Sequence, residues 1–422
     1  MPDKTKINME DKMIYVGIDV SSKTSDYTII DQNKKVIRAV KKKNDLEGLK
    51  SIDKYLNKFD KNEIKIGLET TGIFWNPIHN FFFKNRYDIS LLNAYQTSKF
   101  ANLIYSKTKT DKLDSYIIAV MMNTDYYKEC IVPEDSQANL KELVKSSNKL
   151  QVKLYNQKRR ISTQIKKVFF EYDSLFKNIF SISSLLILKT YTDFKKIAEL
   201  KPDELVRLFR GIKGNNLSIE KANVIINTAK ESITSEIGLE AASFVLLQDI
   251  QLYESLVKLK DKIDEKIDLY MKEYEFTEDK NEEINSLNPI NAVLSIPGVG
   301  KKTISTLIAF CGDLSNFDNL SKFKGYIGIY PQISQSGTMN YSNAHKKGIP
   351  ILKKQLYLAS ISSIRHNMEL RQIYLNALSK KKSKAQAIAK VRNKLISIIW
   401  HLYNHKITYD ASKVMVNQAA WY

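Results

Sequence analysis

The stretch "IYVGIDVSSKTSDYTIIDQNKKVIRAVKKK", Ile14 to Lys43, decides the fold of the N-terminal region. "IYVGID" and "TSDYTIID" read as two strands joined by a short turn, and "KKVIRAVKKK" reads as a third. Two tight turns make the three an antiparallel meander. The first strand ends on Asp19, a residue type that surface turns also favour. Its meaning depends on what the rest of the sequence sets beside it.

Working outward, "DLEGLKSIDKYLNKF" spaces Leu46, Leu49, Ile52, Leu56 and Phe59 along one helical face, with Asp45 placed to cap. "EIKIGLE" is a fourth strand, "GIFWNPIHNFFFKN" a helix, "YDISLLN" a fifth strand and "DKLDSYIIAVMMN" a further helix. Three antiparallel strands followed by two more, separated by helices, is the order of an α/β RNase H or RuvC-like mixed sheet of five strands. In such a sheet the first and fourth strands are neighbours, so Asp19 and Glu69, which end them, project from one edge. Asp111 and Asp114, three apart, share a helical face.

Taken singly, Asp111 reads as a helix cap, Asp114 as a solvated first-turn acid and Glu69 as a strand-end charge. Their joint placement favours chemistry, because like charges brought together repel unless a cation sits among them. Oxygen ligands with open positions suit Mg²⁺ or Mn²⁺, and two such ions about 4 Å apart stabilise both the attacking and the leaving oxygen of a phosphodiester displacement. An actin or sugar-kinase-like ATPase also opens on a "GID" strand, but it needs later glycine-rich phosphate loops. With 14 glycines and no such segment, the chain argues against it.

Lys and Arg number 66 against 46 Asp and Glu, a formal charge of +20 over 422 residues. Such an excess favours a polyanionic partner, nucleic acid first, with a lysine-rich compositional bias as the ordinary alternative. Cys130 and Cys311 stand far apart in sequence without zinc-ligand spacing, which suits a reducing cytoplasm. No signal-peptide pattern opens the chain, and no apolar run reaches the roughly 18 residues of a membrane span. A soluble, cytoplasmic protein without a membrane partner is expected.

"VPEDSQ" breaks the strand-helix alternation. Beyond it Leu143, Ser147, Leu150, Leu154, Gln157, Ile161, Gln164 and Val168 step by alternate fours and threes, the seam of a coiled coil or of a long helix packed on its own domain. A second seam, Leu256, Leu259, Ile263, Ile267 and Tyr270, would return as the other arm of a helical hairpin. After the polar linker "FTEDKNEEINSLNP" comes a distinctly basic unit. The expected division is 1–130, 131–285 and 286–422.

"LSIPGVGKKTISTLIAFCGDL" fails the Walker pattern, because Lys302 stands where Ser or Thr is needed and Ser295 where Gly is needed. It reads instead as a helix-hairpin-helix or a plain helix-joining turn, with Lys301 and Lys302 available to a phosphate. Next, "YPQISQSGTMNYSNAHKKGIPILKK" is expected to be a flexible loop followed by a helix. Ser336, with Lys346, Lys347, Lys353 and Lys354 nearby in sequence, could attack a phosphodiester. His401 and His405 lie four apart on a helix and favour packing over metal, since no acidic or thiol partner is close. "SKKKSKAQAIAKVRNK" is a basic helix that suits RNA or DNA, or a solvated face.

Together "GIDVSSKTSDYTIID", "GLETTGIFWNPI", "KTKTDKLDSYIIA", "SIPGVGKKTISTLIAFCGDLSNF" and "YIGIYPQISQSGTMN" followed by "KKGIPILKKQLYLAS" resemble the DEDD transposases of insertion sequences that use a structured noncoding bridge RNA. The resemblance covers most of the chain. It implies a RuvC-like DEDD domain whose Asp19, Glu69, Asp111 and Asp114 bind Mg²⁺ or Mn²⁺, a coiled-coil middle that supports oligomerisation, and a C-terminal transposase domain whose nucleophile is Ser336, with Ser334 as the fallback. It also implies donor and target DNA, a guide RNA, a homodimer or homotetramer sharing active sites, and a nucleoid-associated place in a prokaryotic cytoplasm. Where family members carry "SKRGN", this chain has "HKKGI", so Lys replaces the bidentate grip of Arg. The competing reading is a RuvC-like structure-selective endonuclease that cuts with metal-activated water.

Overall fold

A computed structural model of the chain describes residues 13–70, 72–104, 111–124, 126–130, 134–210, 217–277, 288–329, 331–336, 339–344 and 348–412. Contacts divide the chain into two compact units, 1–133 and 134–422.

The first unit is built on a five-stranded sheet. Its elements run β1 (Ile14–Val20), β2 (Thr24–Ile30), β3 (Val36–Lys43), α1 (Leu46–Leu56), β4 (Ile64–Glu69), α2 (Trp75–Lys84), β5 (Asp88–Leu92), α3 (Ala94–Ile104) and α4 (Asp111–Met122). The strand order is β3-β2-β1-β4-β5, with β1 to β3 antiparallel and β4 and β5 parallel to β1, as the meander and the two later strands lead one to expect. Asp45 accepts from the Gly48 amide and so starts α1. Alternation along the strands sorts the two faces. Val16, Ile18, Tyr27, Ile29, Ile66, Leu68, Ile89 and Leu91 pack with Ile52, Leu56, Ile78 and Phe82 of α1 and α2. The other face receives α4, where Ile118, Met121 and Met122 pack on Leu92, and Ala119 and Val120 on Ile30.

Two glycines let α4 lie this close. A Cβ on Gly17 would stand 2.0 Å from the Ser115 carbonyl oxygen and 2.4 Å from the Ala119 nitrogen, and one on Gly67 would stand 2.5 Å from Cγ of Met122. The Gly17 neighbours are helix backbone and cannot swing away. We therefore expect Gly17→Ala to lift α4 from the sheet and cost about 3 kcal/mol or more, measured by urea unfolding. A loss below about 1 kcal/mol would show that the helix is not seated as described.

The second unit begins with α5 (Asp135–Val168), continues through α6 (Ile182–Thr190), α7 (Phe194–Ala198), α8 (Pro202–Arg207) and α9 (Ile219–Lys230), and returns along α10 (Leu239–Thr277). The two long helices pack antiparallel, since Gln157 bonds Asp249 while Ser147 bonds Asp264. On α5 the buried line is Leu140, Val144, Ser147, Leu154, Gln157, Ile161, Ile165 and Val168, close to the expected seam. On α10 the expectation is corrected at one residue: Ile267 is buried and Leu256, Ile263 and Tyr270 pack against the cores, whereas Leu259 is 52% exposed, and the buried line continues through Leu246, Ile250, Tyr253 and Met271. The polar pairs set this register: Gln157 Nε2 donates to Asp249 Oδ1 at 3.0 Å, Arg160 Nε to its Oδ2 at 2.8 Å, and Ser147 Oγ to Asp264 Oδ1 at 2.6 Å. A buried Asp249 is tolerable only with such partners, and they fix the turn of α10 that faces α5.

One core closes the far end of this helix pair around Phe169, Tyr172, Leu188 and Ile225. Another joins Leu140, Val144, Ile267 and Met271 to α11 (Pro289–Leu294), α12 (Lys301–Cys311), α13 (Leu320–Ile327), α14 (Pro350–His366), α15 (Met368–Ser379) and α16 (Lys384–His405). Between α13 and α14 in the chain come the paired strands β6 (Pro331–Ser336) and β7 (Met339–Ala344). Both cysteines are free thiols. Among the described residues, no helix is long and apolar enough to cross a membrane.

Candidate active site

In the first unit the strand register sets carboxylates side by side. Ile18 pairs with Leu68 in the parallel β1–β4 ladder, so Asp19 and Glu69 follow as neighbours on strands about 4.8 Å apart. Both lie on the face that α4 covers, because Gly17 and Gly67, two residues back, meet that helix. Thr97 of α3 hydrogen-bonds the Glu69 carboxylate and is itself buried, which fixes the acid's direction. Asn123, at the other end of α4, donates to the Gln32 carbonyl in the turn between β2 and β3, at the opposite end of the sheet. The helix therefore starts, with Asp111 and Asp114, toward the end where Asp19 and Glu69 stand. Asp114 is partly buried, and the Asp111 side chain lies outside the described residues.

The register adds two residues that periodicity could not single out. Asp19 sits directly opposite Asp26 of β2, and Asp26 directly opposite Lys41 of β3. Opposite residues share a face, so one row across the sheet reads Lys41, Asp26, Asp19, Glu69. Lys41 Nζ stands 3.0 Å from Asp26 Oδ2. The donors are all hard oxygens, the chemistry that suits Mg²⁺ or Mn²⁺ rather than zinc. Among the described residues, no group of three or more His, Cys, Asp or Glu is close enough to hold an ion. Ligation of the expected kind thus needs Asp111 or a phosphate oxygen as well.

In the second unit the serine expectation is corrected in one respect. Ser336 does not lie in an irregular loop. It is the last residue of β6, paired with Met339 of β7, while Ser334 pairs with Tyr341. The segment lacks apolar alternation, so the strand pair left no signal in the sequence. Lys346 and Lys347 lie outside the described residues.

Among the other cations, Lys301 is exposed at the start of α12, whose cap residue Gly300 offers no side chain. The helix start thus has no side-chain cap beside a positive charge, while the Thr303 amide already donates to the Gly300 carbonyl at 2.8 Å. Lys302 is exposed as well, but partial desolvation of its ammonium first, then Lys260 and Lys354, push it below the usual lysine range, with Asp264 opposing. Asp264 is the same carboxylate that Ser147 and Lys260 engage, so Lys302 belongs to a polar junction between α12 and the long helices. Gln355 Nε2 donates to Thr303 Oγ1 at 3.1 Å and ties α14 into the same junction. Lys353 is half-buried and Lys354 exposed on α14. The His401 and His405 rings stack with centroids 4.0 Å apart, and His405 Nδ1 stands 2.9 Å from the His401 carbonyl, a packing arrangement.

Comparison with known proteins matches both ends of the chain. The model of the DEDD transposase domain of IS110 elements, described as a transposase, matches residues 16–170. The one described as the transposase IS116/IS110/IS902 family matches residues 290–375. An uncharacterised 43.6 kDa protein of insertion element IS110 from Streptomyces coelicolor is 26% identical over 134 residues, 31% of this chain and 33% of that one. The transposase for insertion sequence element IS1111A from Coxiella burnetii is 28% identical over 139 residues, 31% of this chain and 38% of its own. A pilin gene-inverting protein from Moraxella bovis is 19% identical over 401 residues, 94% of this chain and 97% of that one. The chain thus spans about a third of the length of the first two relatives it matches.

Proposed function

We propose, from a chain that carries two IS110-family transposase domains, that the protein is a DNA transposase or recombinase of an insertion sequence. The observation that carries this reading is the row of Asp19 and Glu69 on neighbouring strands beneath the acidic start of α4, in the domain matched to DEDD transposases. In this reading Asp19, Glu69, Asp111 and Asp114 hold Mg²⁺ or Mn²⁺, which when bound polarises the scissile phosphate and neutralises charge on its oxygens. Thr97 would fix the orientation of Glu69 as one of these ligands, and Lys41 would hold Asp26 aside. Ser336 Oγ attacks the phosphorus, the bond to the leaving DNA oxygen breaks, and the serine proton passes to a base while the leaving oxygen is protonated. The resulting phosphoserine diester conserves the energy of the broken bond, so rejoining to a new strand needs no nucleotide hydrolysis.

The same reading includes a structured noncoding RNA that selects donor and target DNA. It also includes a homodimer or homotetramer in which the long α5–α10 pair, as a coiled coil, spaces or joins subunits, so that carboxylates of one subunit serve the serine of another. The helix-hairpin-helix role of α11 and α12, binding phosphate through Lys301, belongs to it as well. Extraction and sequencing of RNA that copurifies with the chain tests the guide: one discrete structured species is the expected result, and a heterogeneous mixture of cellular fragments would remove the guide from the reading. The second reading, a structure-selective nuclease, shares the carboxylates and differs in leaving free DNA ends without a protein adduct.

A further inference from the structure

From Asn319 to Tyr409 the chain carries sixteen Lys and Arg and a single acid, Glu369. The fold gathers part of that charge at one place. The two ends of the β6–β7 pair return to a common root. Gly348, at φ +108°, lies so close to α13 that a Cβ there would stand 2.2 Å from the Ile327 carbonyl oxygen, and the Ile349 amide donates to that oxygen at 3.2 Å. Lys324 stands one turn before this root on α13, and Lys353 one turn after it on α14. Helix α16 packs against both elements. It sets Lys394 beside Lys324 on one flank and Arg392 beside Lys353 on the other, two positions about 200° apart around a helix.

Burial depresses the proton affinity of all four groups, and in Lys324 and Lys353 the neighbouring cation adds to it. Helices α13, α14 and α16 contain no carboxylate at all. Arg392 is the sharpest case. Its Nε is buried and meets no hydrogen-bond acceptor among the described residues. A half-buried guanidinium with an orphaned donor is costly in the free protein, and an anion that offers paired oxygens removes that cost. A phosphodiester has the planar-fork complementarity that guanidinium matches best.

We propose that the root of the β6–β7 pair is a seat for the DNA phosphate backbone, with Arg392 as its anchor and Lys324, Lys353 and Lys394 flanking it. The seat presents a strand to the element that ends at Ser336. It rests on the transposase reading for its purpose but not for its binding.

The test measures affinity of the full chain for a labelled 40-bp duplex of arbitrary sequence across a salt series in EDTA, beside a labelled single-stranded RNA of the same length. Arg392→Gln should weaken duplex binding about tenfold and reduce the salt slope by about 1. It should leave the melting temperature of the free protein unchanged or raised, because an uncompensated charge has gone. Lys230→Gln, which removes equal charge from α9, should change neither quantity. Wild-type duplex affinity and slope in Arg392→Gln overturn the proposal, as does a loss confined to RNA or a fall of several degrees in melting temperature with unchanged binding. Should Arg392→Gln fail to fold, the double variant Lys353→Gln, Lys394→Gln decides, with a slope reduction of about 2 expected and no change fatal. Strand transfer is scored separately in Mg²⁺. Intact seat binding without strand transfer would sink the transposase reading alone.

Discussion

Ser336→Ala should abolish the covalent protein–DNA adduct while leaving DNA binding within about twofold of the wild type. The expected loss is at least about a thousandfold in adduct yield, because removing the attacking atom leaves only binding and charge stabilisation, which do not form a protein–phosphorus bond. Ser336 is the last residue of β6, at the point where its ladder to β7 ends on Met339, whereas Ser334 is paired two residues deeper, opposite Tyr341. A nucleophile at the end of a ladder can approach a phosphate without parting backbone hydrogen bonds, which favours Ser336 over Ser334. Ser334→Ala should therefore retain the adduct. The assay is denaturing electrophoresis of labelled DNA incubated with the chain and Mg²⁺, with protease digestion to show that the shifted species contains protein. Adduct persisting in Ser336→Ala but lost in Ser334→Ala would move the nucleophile, and adduct in both would direct attention to Tyr341. Cleavage without adduct in the wild type would favour the water-using nuclease.

The positions of the four carboxylates at element ends were legible in the sequence because each stands where a pattern stops or starts: Asp19 and Glu69 near the ends of apolar strands, Asp111 and Asp114 at the start of an apolar helix. The sheet order followed from the same strands. What sequence left hidden has specific causes. Helix α3 shows no apolar periodicity because Thr97 is its one buried side chain, yet that residue orients Glu69. Asp26 and Lys41 look like ordinary strand charges until the register sets them in one row with Asp19. The β6–β7 pair is built from polar residues without alternation, so its strands resemble a loop. On α10 the regular spacing includes Leu259, which is exposed, while Asp249 and Asp264 face α5 through hydrogen bonds that apolar spacing does not reveal. For α3 and α10 a polar contact distant in sequence places residues that a local apolar pattern does not reveal.

Asp19→Asn should remove Mg²⁺-dependent strand cleavage by a factor of at least about a thousand and at the same time leave the metal-free protein as stable as the wild type or more so. The two effects have one cause. Asp19 faces Asp26 directly across the β1–β2 ladder and neighbours Glu69 on β4, so three acids share one row of the sheet with Lys41. Like charges directly opposite on a sheet destabilise by about 0.2–1 kcal/mol, and an amide of the same shape relieves this. A bound divalent ion supplies the same relief and more, so wild-type melting temperature should rise with Mg²⁺ concentration, and the Asn variant should lose most of that rise. Glu69→Gln should behave alike in cleavage but gain less stability, because Thr97 already donates to Glu69. Asp26→Asn separates charge from ligation. It should lower stability slightly by removing the carboxylate that Lys41 meets at 3.0 Å, and it should retain cleavage. Thermal melts with and without Mg²⁺, beside cleavage of a labelled duplex, read all three variants. Undiminished cleavage in Asp19→Asn, or a Mg²⁺-dependent rise equal to the wild type's, would place the metal away from this row.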